Sequence, residues 1–341
     1  MLNKAIIDLN ALEENVKKIK SKLHGKAKFC AVVKADAYGH GAEVIANSIY
    51  RHVDCYAVAI CEEGINLRHS SIDKEILCLT PFDCNEIDRA IYYDLTATVT
   101  NLEQLKKLNN SAKKQRKKAK IHIKFNSGMN RQGVDSLSDL MQLLELAKRC
   151  DHMEICGLYS HLSQPENKKA LKSQVNRFLL ANNLIKGYNN NAICHISASG
   201  GFLQGVYADM VRIGLLMYGY KPFESNKIQV EPVMRVYAPS IGERKIKKGQ
   251  SALYGQNKAQ QDTALNLIRY GYADGLPRAE IGRQFNNRCM DLTAVTDYDQ
   301  KLTQKGYPIL ENADILAKQY NTISYEVLTK VAIRAEKIYV R

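Results

Sequence analysis

Phe29-Cys30-Ala31-Val32-Val33-Lys34-Ala35-Asp36-Ala37-Tyr38-Gly39-His40-Gly41 passes from five apolar residues directly into one lysine and a glycine-flanked loop. The apolar run reads as a buried strand, so the amine of Lys34 stands where a desolvated strand end meets a turn. Low dielectric penalises the ammonium form, and a neutral amine can attack a carbonyl, which makes Lys34 a candidate Schiff-base former. An ordinary lysine that snorkels from a strand end to water would leave the same local pattern. The remainder of the chain has to decide between them.

The run is the first of eight. Tyr56 to Ile60, Ile76 to Leu79, Thr96 to Val99, Ile121 to Phe125, Ile155 to Tyr159, Ala192 to Ile196 and Met210 to Met217 follow it. Most are separated by stretches of helical periodicity, such as Leu102-Leu105-Leu108, Leu137-Leu140-Leu144-Ala147 and Val175-Phe178-Leu179-Leu184. Eight alternations of strand and helix predict an α/β fold, a (β/α)8 TIM barrel, although an open doubly wound sheet gives a similar string. Pro81 to Asp94 has room for only a short helix. Beyond Tyr220 the texture changes: Val230 to Val236, Ser251 to Tyr254, Thr263 to Tyr272 and Met290 to Val295 read as strands, and only Ile315 to Tyr320 looks helical. The expected division is a barrel over residues 1–222 and a smaller, mostly β C-terminal domain over 223–341.

With 341 residues, 45% apolar and 25% charged, the chain has the profile of a globular enzyme-sized protein. Its nine cysteines form no Cys-x-x-Cys pair, which argues against a disulfide framework or a zinc knuckle. A reducing, cytoplasmic setting is expected, with no signal peptide and no membrane span. The formal charge of +14 permits nucleic-acid binding. Its densest cluster, Lys113-Lys114-Gln115-Arg116-Lys117-Lys118, ends a helical pattern and lacks interleaved aromatics, so a solvated helix end is the better reading. There is no Gly-x-Gly-x-x-Gly, P-loop or His-Glu-x-x-His, and no metal site is expected.

Polar residues gather where a barrel would carry its catalytic face. Lys34 follows the first run, Asn126-Ser127-Gly128-Met129-Asn130-Arg131 the fifth, Ser160-His161 the sixth and Ser197-Ala198-Ser199-Gly200-Gly201 the seventh, while Arg212 opens the eighth. The segment Ala31 to Gly41 resembles the cofactor-lysine segment of the alanine racemase family. Lys124 to Gly133, Arg212 to Gly219, Gly271-Tyr272-Ala273-Asp274-Gly275, Cys289-Met290-Asp291 and Thr322 to Glu326 are similar to further blocks of that family, in the same order. The resemblance covers nearly the whole chain.

It implies a homodimeric enzyme, dependent on pyridoxal 5'-phosphate, that interconverts L-alanine and D-alanine and supplies D-alanine for the cell wall. Lys34 would hold the cofactor and serve as the base for one enantiomer; Tyr272 would serve the other. Racemisation needs two opposed proton handlers, because one group returning its own proton would retain configuration. An unperturbed phenol is a poor base at neutral pH, so cationic character from His161 or Arg212 is expected to assist Tyr272. The family match further implies Arg212 at the pyridine nitrogen, and Tyr38, Ser199, Gly214 and Tyr325 at the phosphate. Arg131 would meet the phenolic oxygen and the substrate carboxylate, His161 would lie by the cofactor ring, and Lys124 would be carbamylated and would hold Arg131. Met290 and Asp291 would be brought by the partner subunit.

Departures from the family pattern are Asn126-Ser127 for Asp-Thr, the displaced Arg288 in Asn286-Asn287-Arg288, an abbreviated Tyr307 to Gln319, and a tail without proline. A broad-specificity amino-acid or serine racemase, or a non-catalytic PLP-binding protein, are the alternatives. Nucleic-acid binding ranks behind both.

Overall fold

The computed structural model describes residues 2–25, 27–254, 257–278, 288–296 and 301–341. The chain opens with β1 (Lys4–Asp8) and α1 (Leu9–Leu23). Asp8 caps α1 by accepting from the Ala11 N–H at 2.9 Å, and Leu9, Leu12, Val16, Ile19 and Leu23 form its buried stripe. Each such leucine or isoleucine removed from water contributes roughly 2 kcal/mol before entropy is counted.

All eight apolar runs become strands: β2 (Lys28–Val32), β3 (Cys55–Val58), β4 (Ile76–Cys78), β5 (Ala97–Val99), β6 (Ala119–Lys124), β7 (Met153–Tyr159), β8 (Ile193–His195) and β9 (Met210–Ile213). Every pairing among them is parallel, in the orders β4-β3-β2-β9 and β5-β6-β7-β8. At one seam between these two sheets a parallel bridge joins Leu77 to Thr96, with Cys78 donating to Thr96 at 2.9 Å. At the other, Asp209 donates to Cys194 and Arg212 to Ser197, each at 2.9 Å. These contacts join the two parallel sheets at both edges in a barrel-like arrangement, although neither seam carries a continuous ladder.

Helices occupy the connections: α2 (Ala42–Ile49), α3 (Cys61–His69), α4 (Ile87–Tyr92), α5 (Leu102–Lys114), α6 (Leu137–Ala147), α7 (Lys168–Tyr188) and the short α8 (Ser199–Leu203). Asn101, Ser136 and Asn167 cap α5, α6 and α7 with side-chain oxygens. The basic cluster begins in the last turn of α5, where cations meet the negative end of the helix dipole. No helix among the described residues is long and apolar enough to cross a membrane.

The C-terminal region is built from β10 (Met234–Ala238), β11 (Ser240–Ile246), β12 (Thr263–Ile268), β13 (Thr293–Val295), β14 (Tyr307–Leu310) and β15 (Glu336–Val340). Several elements depart from the sequence reading, which names no strand at β11, β14 or β15. Ser251 to Tyr254 is a turn with a single bridge from Ser251 to Lys258, and a second helix, α10 (Ser324–Val331), follows α9 (Ala313–Gln319). The first strand of the chain lies between β10 and β15, antiparallel to the former and parallel to the latter, in the order β14-β10-β1-β15. Ala5 and Ile7 point into the core there.

Candidate active site

Lys34 leaves β2 into a left-handed turn in which Ala35, Asp36, Ala37 and Tyr38 all have φ between 52° and 55°. For L-residues this costs roughly 1 kcal/mol or more apiece, so the turn has to be held from outside. Glu63 accepts from the Ala35 N–H at 2.6 Å, and Asp36 accepts from the Ala42 N–H at 2.8 Å and pairs with Lys337 at 2.7 Å. Gly39, at φ 83°, lets α10 approach, since a Cβ there would sit 2.5 Å from the Leu328 carbonyl oxygen. The C-terminal region therefore clamps the loop that aims Lys34.

Lys34 faces a cavity of about 600 Å³ at the carboxyl ends of the barrel strands. Tyr38, Lys124, Arg131, His161, Ser199, Arg212, Gly214 and Tyr325 also line it, so the fold gathers these sequence-predicted residues in one place. Lys34, Lys124, Arg131 and Arg212 are its basic side chains, and among the described residues no Asp or Glu lines it. Such a cavity selects an anionic ligand.

Burial holds the Lys34 amine below the usual lysine range, with Arg131 and then Arg212 adding to the effect while Glu63 opposes it. Burial, then Arg131, Arg212 and Lys34, bring Lys124 down to about 7, and its ammonium donates to Gln132 Oε1 at 2.8 Å. Desolvation and Arg212 hold His161 well below its ordinary value, so it is a neutral imidazole and lends no positive charge to any phenol. Arg212 is lowered to about 10 by burial and remains a cation at neutral pH. Its guanidinium donates to Ser160 O at 2.7 Å and to Nδ1 of His195 at 2.6 Å, while Asp209 is paired with Lys186 instead.

At the far end of the cavity a Cβ on Gly214 would stand 2.6 Å from the Tyr38 hydroxyl oxygen, so only glycine leaves room there. The Tyr38 ring packs 4.9 Å from Tyr218 and 5.9 Å from Tyr325. Burial raises the Tyr38 and Tyr325 phenols, the latter to about 12, which keeps them protonated donors. Ser199 accepts from the Leu216 N–H at 3.4 Å. Two phenolic donors, a serine and a glycine gap make a cradle suited to a phosphate.

Asn126 shapes the loop that carries Arg131. Its Oδ1 accepts from the Gly128 and Asn130 N–H groups at 3.1 and 3.0 Å, and its Nδ2 donates to Asp135 at 2.6 Å. Asn126 thus holds a carboxylate partner from nine residues along the same loop.

Tyr272, Met290 and Asp291 do not line this cavity. Tyr272 begins a 3₁₀ turn (Tyr272–Asp274) and is 39% exposed, and Ala273 donates to Met290 O at 3.0 Å, so the two segments form one knot. Gly271 permits that knot, because a Cβ would collide with the Met290 carbonyl. Asp291 pairs with Arg334 at 2.7 Å, and Met290 is 54% exposed. Arg288 is buried and donates to Pro277 O and to the Tyr320 hydroxyl, both at 2.9 Å; Asn286 and Asn287 lie outside the described residues.

Sequence reasoning missed Tyr159, His122 and His195. The Tyr159 ring stacks on His195 at 5.0 Å and 6°, with the Arg212 guanidinium 5.1 Å and the Lys124 amine 5.2 Å from its centre. Histidines inside the buried strands Ala119–Lys124 and Ile193–His195 were the available signal.

Comparison with known proteins bears on this arrangement. A family profile described as alanine racemase, N-terminal domain, matches residues 7–222, and one described as alanine racemase, C-terminal domain, matches residues 233–339. The chain is 33% identical to the alanine racemase of Treponema denticola over 99% of its length and 98% of that protein. It is 31% identical to that of Francisella tularensis subsp. novicida, covering 96% and 97% of the two chains. The solved alanine racemase of Clostridium difficile 630 superposes with a TM-score of 0.91 at 28% identity, over 100% of this chain and 96% of that one.

Proposed function

The chain belongs to the alanine racemase family, and on that premise we propose that it interconverts L-alanine and D-alanine with Lys34 and Tyr272 as opposed acid/base groups. The observation that carries the reading is the cavity itself: four basic side chains, no carboxylate among the described residues, and a desolvated amine at a strand end.

These residues fit pyridoxal 5'-phosphate. Lys34 would hold its aldehyde carbon, Tyr38, Tyr325, Ser199 and the gap at Gly214 its phosphate, and Arg212 its ring nitrogen. When bound, the group supplies an electron sink that acidifies the α-proton of the amino acid. Lys34 is suited to take or return that proton because its amine is biased toward the neutral form. Arg212 has only donors and keeps its protons at neutral pH, so it orients without exchanging. Arg131 presents a planar fork for a carboxylate at the mouth. With a pKa of about 7, a substantial share of Lys124 is neutral amine, as carbamylation by carbon dioxide requires.

Tyr272, Met290 and Asp291 act in the cavity of a second copy. Their exposure on a knot apart from their own chain's cavity supports this reading. Residues 1–222 supply the cofactor-holding residues apart from Tyr325, and 223–341 provide that phenol and the part that crosses to the partner. D-Alanine made in the cytoplasm for the cell wall is the biological output.

The test is incubation with pyridoxal phosphate and L-alanine, following D-alanine formation and solvent deuterium at Cα. Lys34→Ala should abolish both, and Tyr272→Phe should abolish racemisation. A wild-type protein that binds the cofactor but never exchanges the α-proton of alanine defeats the assignment, and faster turnover of serine than alanine shifts it to the broader racemase.

A further inference from the structure

Arg212 is buried, and its hydrogen-bond partners are neutral: Ser160 O, Ile196 O, His161 Nδ1 and His195 Nδ1. A buried cation without an anion is costly, so the network beyond these partners matters. It continues through the barrel. His195 Nε2 lies 2.8 Å from His122 Nδ1, and His122 Nε2 faces Oε1 of Glu75 at 3.5 Å. Glu75 sits one residue before β4 and lines an opening of about 320 Å³, with Asp73, Asp94 and Glu154. That opening lies at the end of the strands opposite Lys34, because these residues precede or begin the parallel strands that Lys34 and Arg131 follow.

The chain has a direction set by chemistry. Guanidinium nitrogens only donate, so His195 Nδ1 must accept. Burial holds His195 well below its ordinary pKa and His122 at about 4, so each imidazole is neutral and carries one N–H. The His195 proton is therefore on Nε2 and points to His122 Nδ1, which leaves the His122 proton on Nε2, aimed at Glu75. His122 Nε2 is fully buried and makes no hydrogen bond among the described residues, so the Glu75 carboxylate 3.5 Å away, whose Oε1 also accepts from Thr96 Oγ1 at 3.1 Å, is the charge it faces. Charged and titratable side chains facing the pair are Arg212 from β9, Tyr159 from β7 and Glu75 before β4.

We propose that Glu75 is a positioning residue for Arg212: its carboxylate ends a one-way chain of N–H donors, Arg212 to His195 to His122, that balances the buried guanidinium from the opposite face of the barrel. The proposal rests on the racemase reading only for its kinetic consequence.

The test uses enzyme labelled with 15N at histidine, with side-chain spectra taken on the holoenzyme and again after the cofactor is stripped. In both, His195 and His122 should show a protonated Nε2 and an unprotonated Nδ1. Glu75→Gln keeps the volume of a partly exposed residue, so folding is expected to survive, as matched thermal melting will show. It should shift the His122 Nε2 resonance and lower kcat about tenfold, the size usual for a change transmitted through a packed network, with KM unchanged. Glu154→Gln, in the same opening but off the chain, should do neither. A proton on His195 Nδ1, or a Glu75→Gln enzyme with unaltered spectra or unaltered kcat, overturns the proposal. A protein that never racemises alanine overturns the function while the spectra still decide the chain.

Discussion

Combining Lys34→Ala with Tyr272→Phe subunits measures whether one site draws on two chains. The cavity that contains Lys34 is not lined by Tyr272 of the same chain, which starts an exposed turn in the C-terminal region. If Tyr272 serves a neighbour, each site pairs Lys34 of one subunit with Tyr272 of the other. In a mixed dimer one site then carries both substitutions and the other carries neither. An isolated heterodimer should show about half the wild-type turnover, and a randomly reassorted equal mixture about one quarter, because about half of its dimers are mixed. Each parent should fall by about a hundredfold or more, as expected for loss of a general acid/base group. The assay is D-alanine formation by heterodimers purified through two different affinity tags. A heterodimer no more active than its parents refutes the shared site and requires Tyr272 to reach its own chain's cavity.

Three further outcomes follow from local geometry. Gly214→Ala places a Cβ 2.6 Å from the Tyr38 hydroxyl oxygen, so pyridoxal phosphate affinity, read by fluorescence titration, should weaken about tenfold or more while the fold persists. Lys124 has a folded-state value of about 7, below that of the unfolded chain, so between these values the unfolded state binds more protons and stability rises with pH. The cofactor-free protein should therefore gain urea resistance from pH 7 to 9, and Lys124→Met should flatten that gain. Asp36→Ala removes both the Ala42 N–H acceptor and the Lys337 partner from the left-handed turn. A loss of about 1–2 kcal/mol by chemical denaturation, together with reduced cofactor binding, is expected.

The barrel was legible because its signal is local. Each buried parallel strand is a short apolar run, each covering helix has its own period, and Lys34 stands at the junction where both change. Lys4–Asp8 was not legible: five residues with two core-facing side chains say nothing about a partner more than 200 residues away at Met234–Ala238 and beyond. Ser240–Ile246 is almost entirely exposed and has no apolar alternation to detect. The capped left-handed turn was hidden as well, since Glu63, Lys337 and Leu328 come from three separate places in the chain.

For the site, residue type and order identified the amine, the arginines and the phosphate-end phenols. Assigning them one cavity needed the barrel to bring its strand ends together. Charge states needed more still: His161 is neutral because Arg212 and burial act on it together, and the route from Arg212 through His195 and His122 exists only where three strands turn side chains inward. The sequence by itself determined which chemistry is carried, because an amine, a guanidinium and a phenol keep their intrinsic donor and acceptor character anywhere. Only the tertiary structure decided which of them meet, which are desolvated and which face outward, because distance and dielectric are properties of the packed chain.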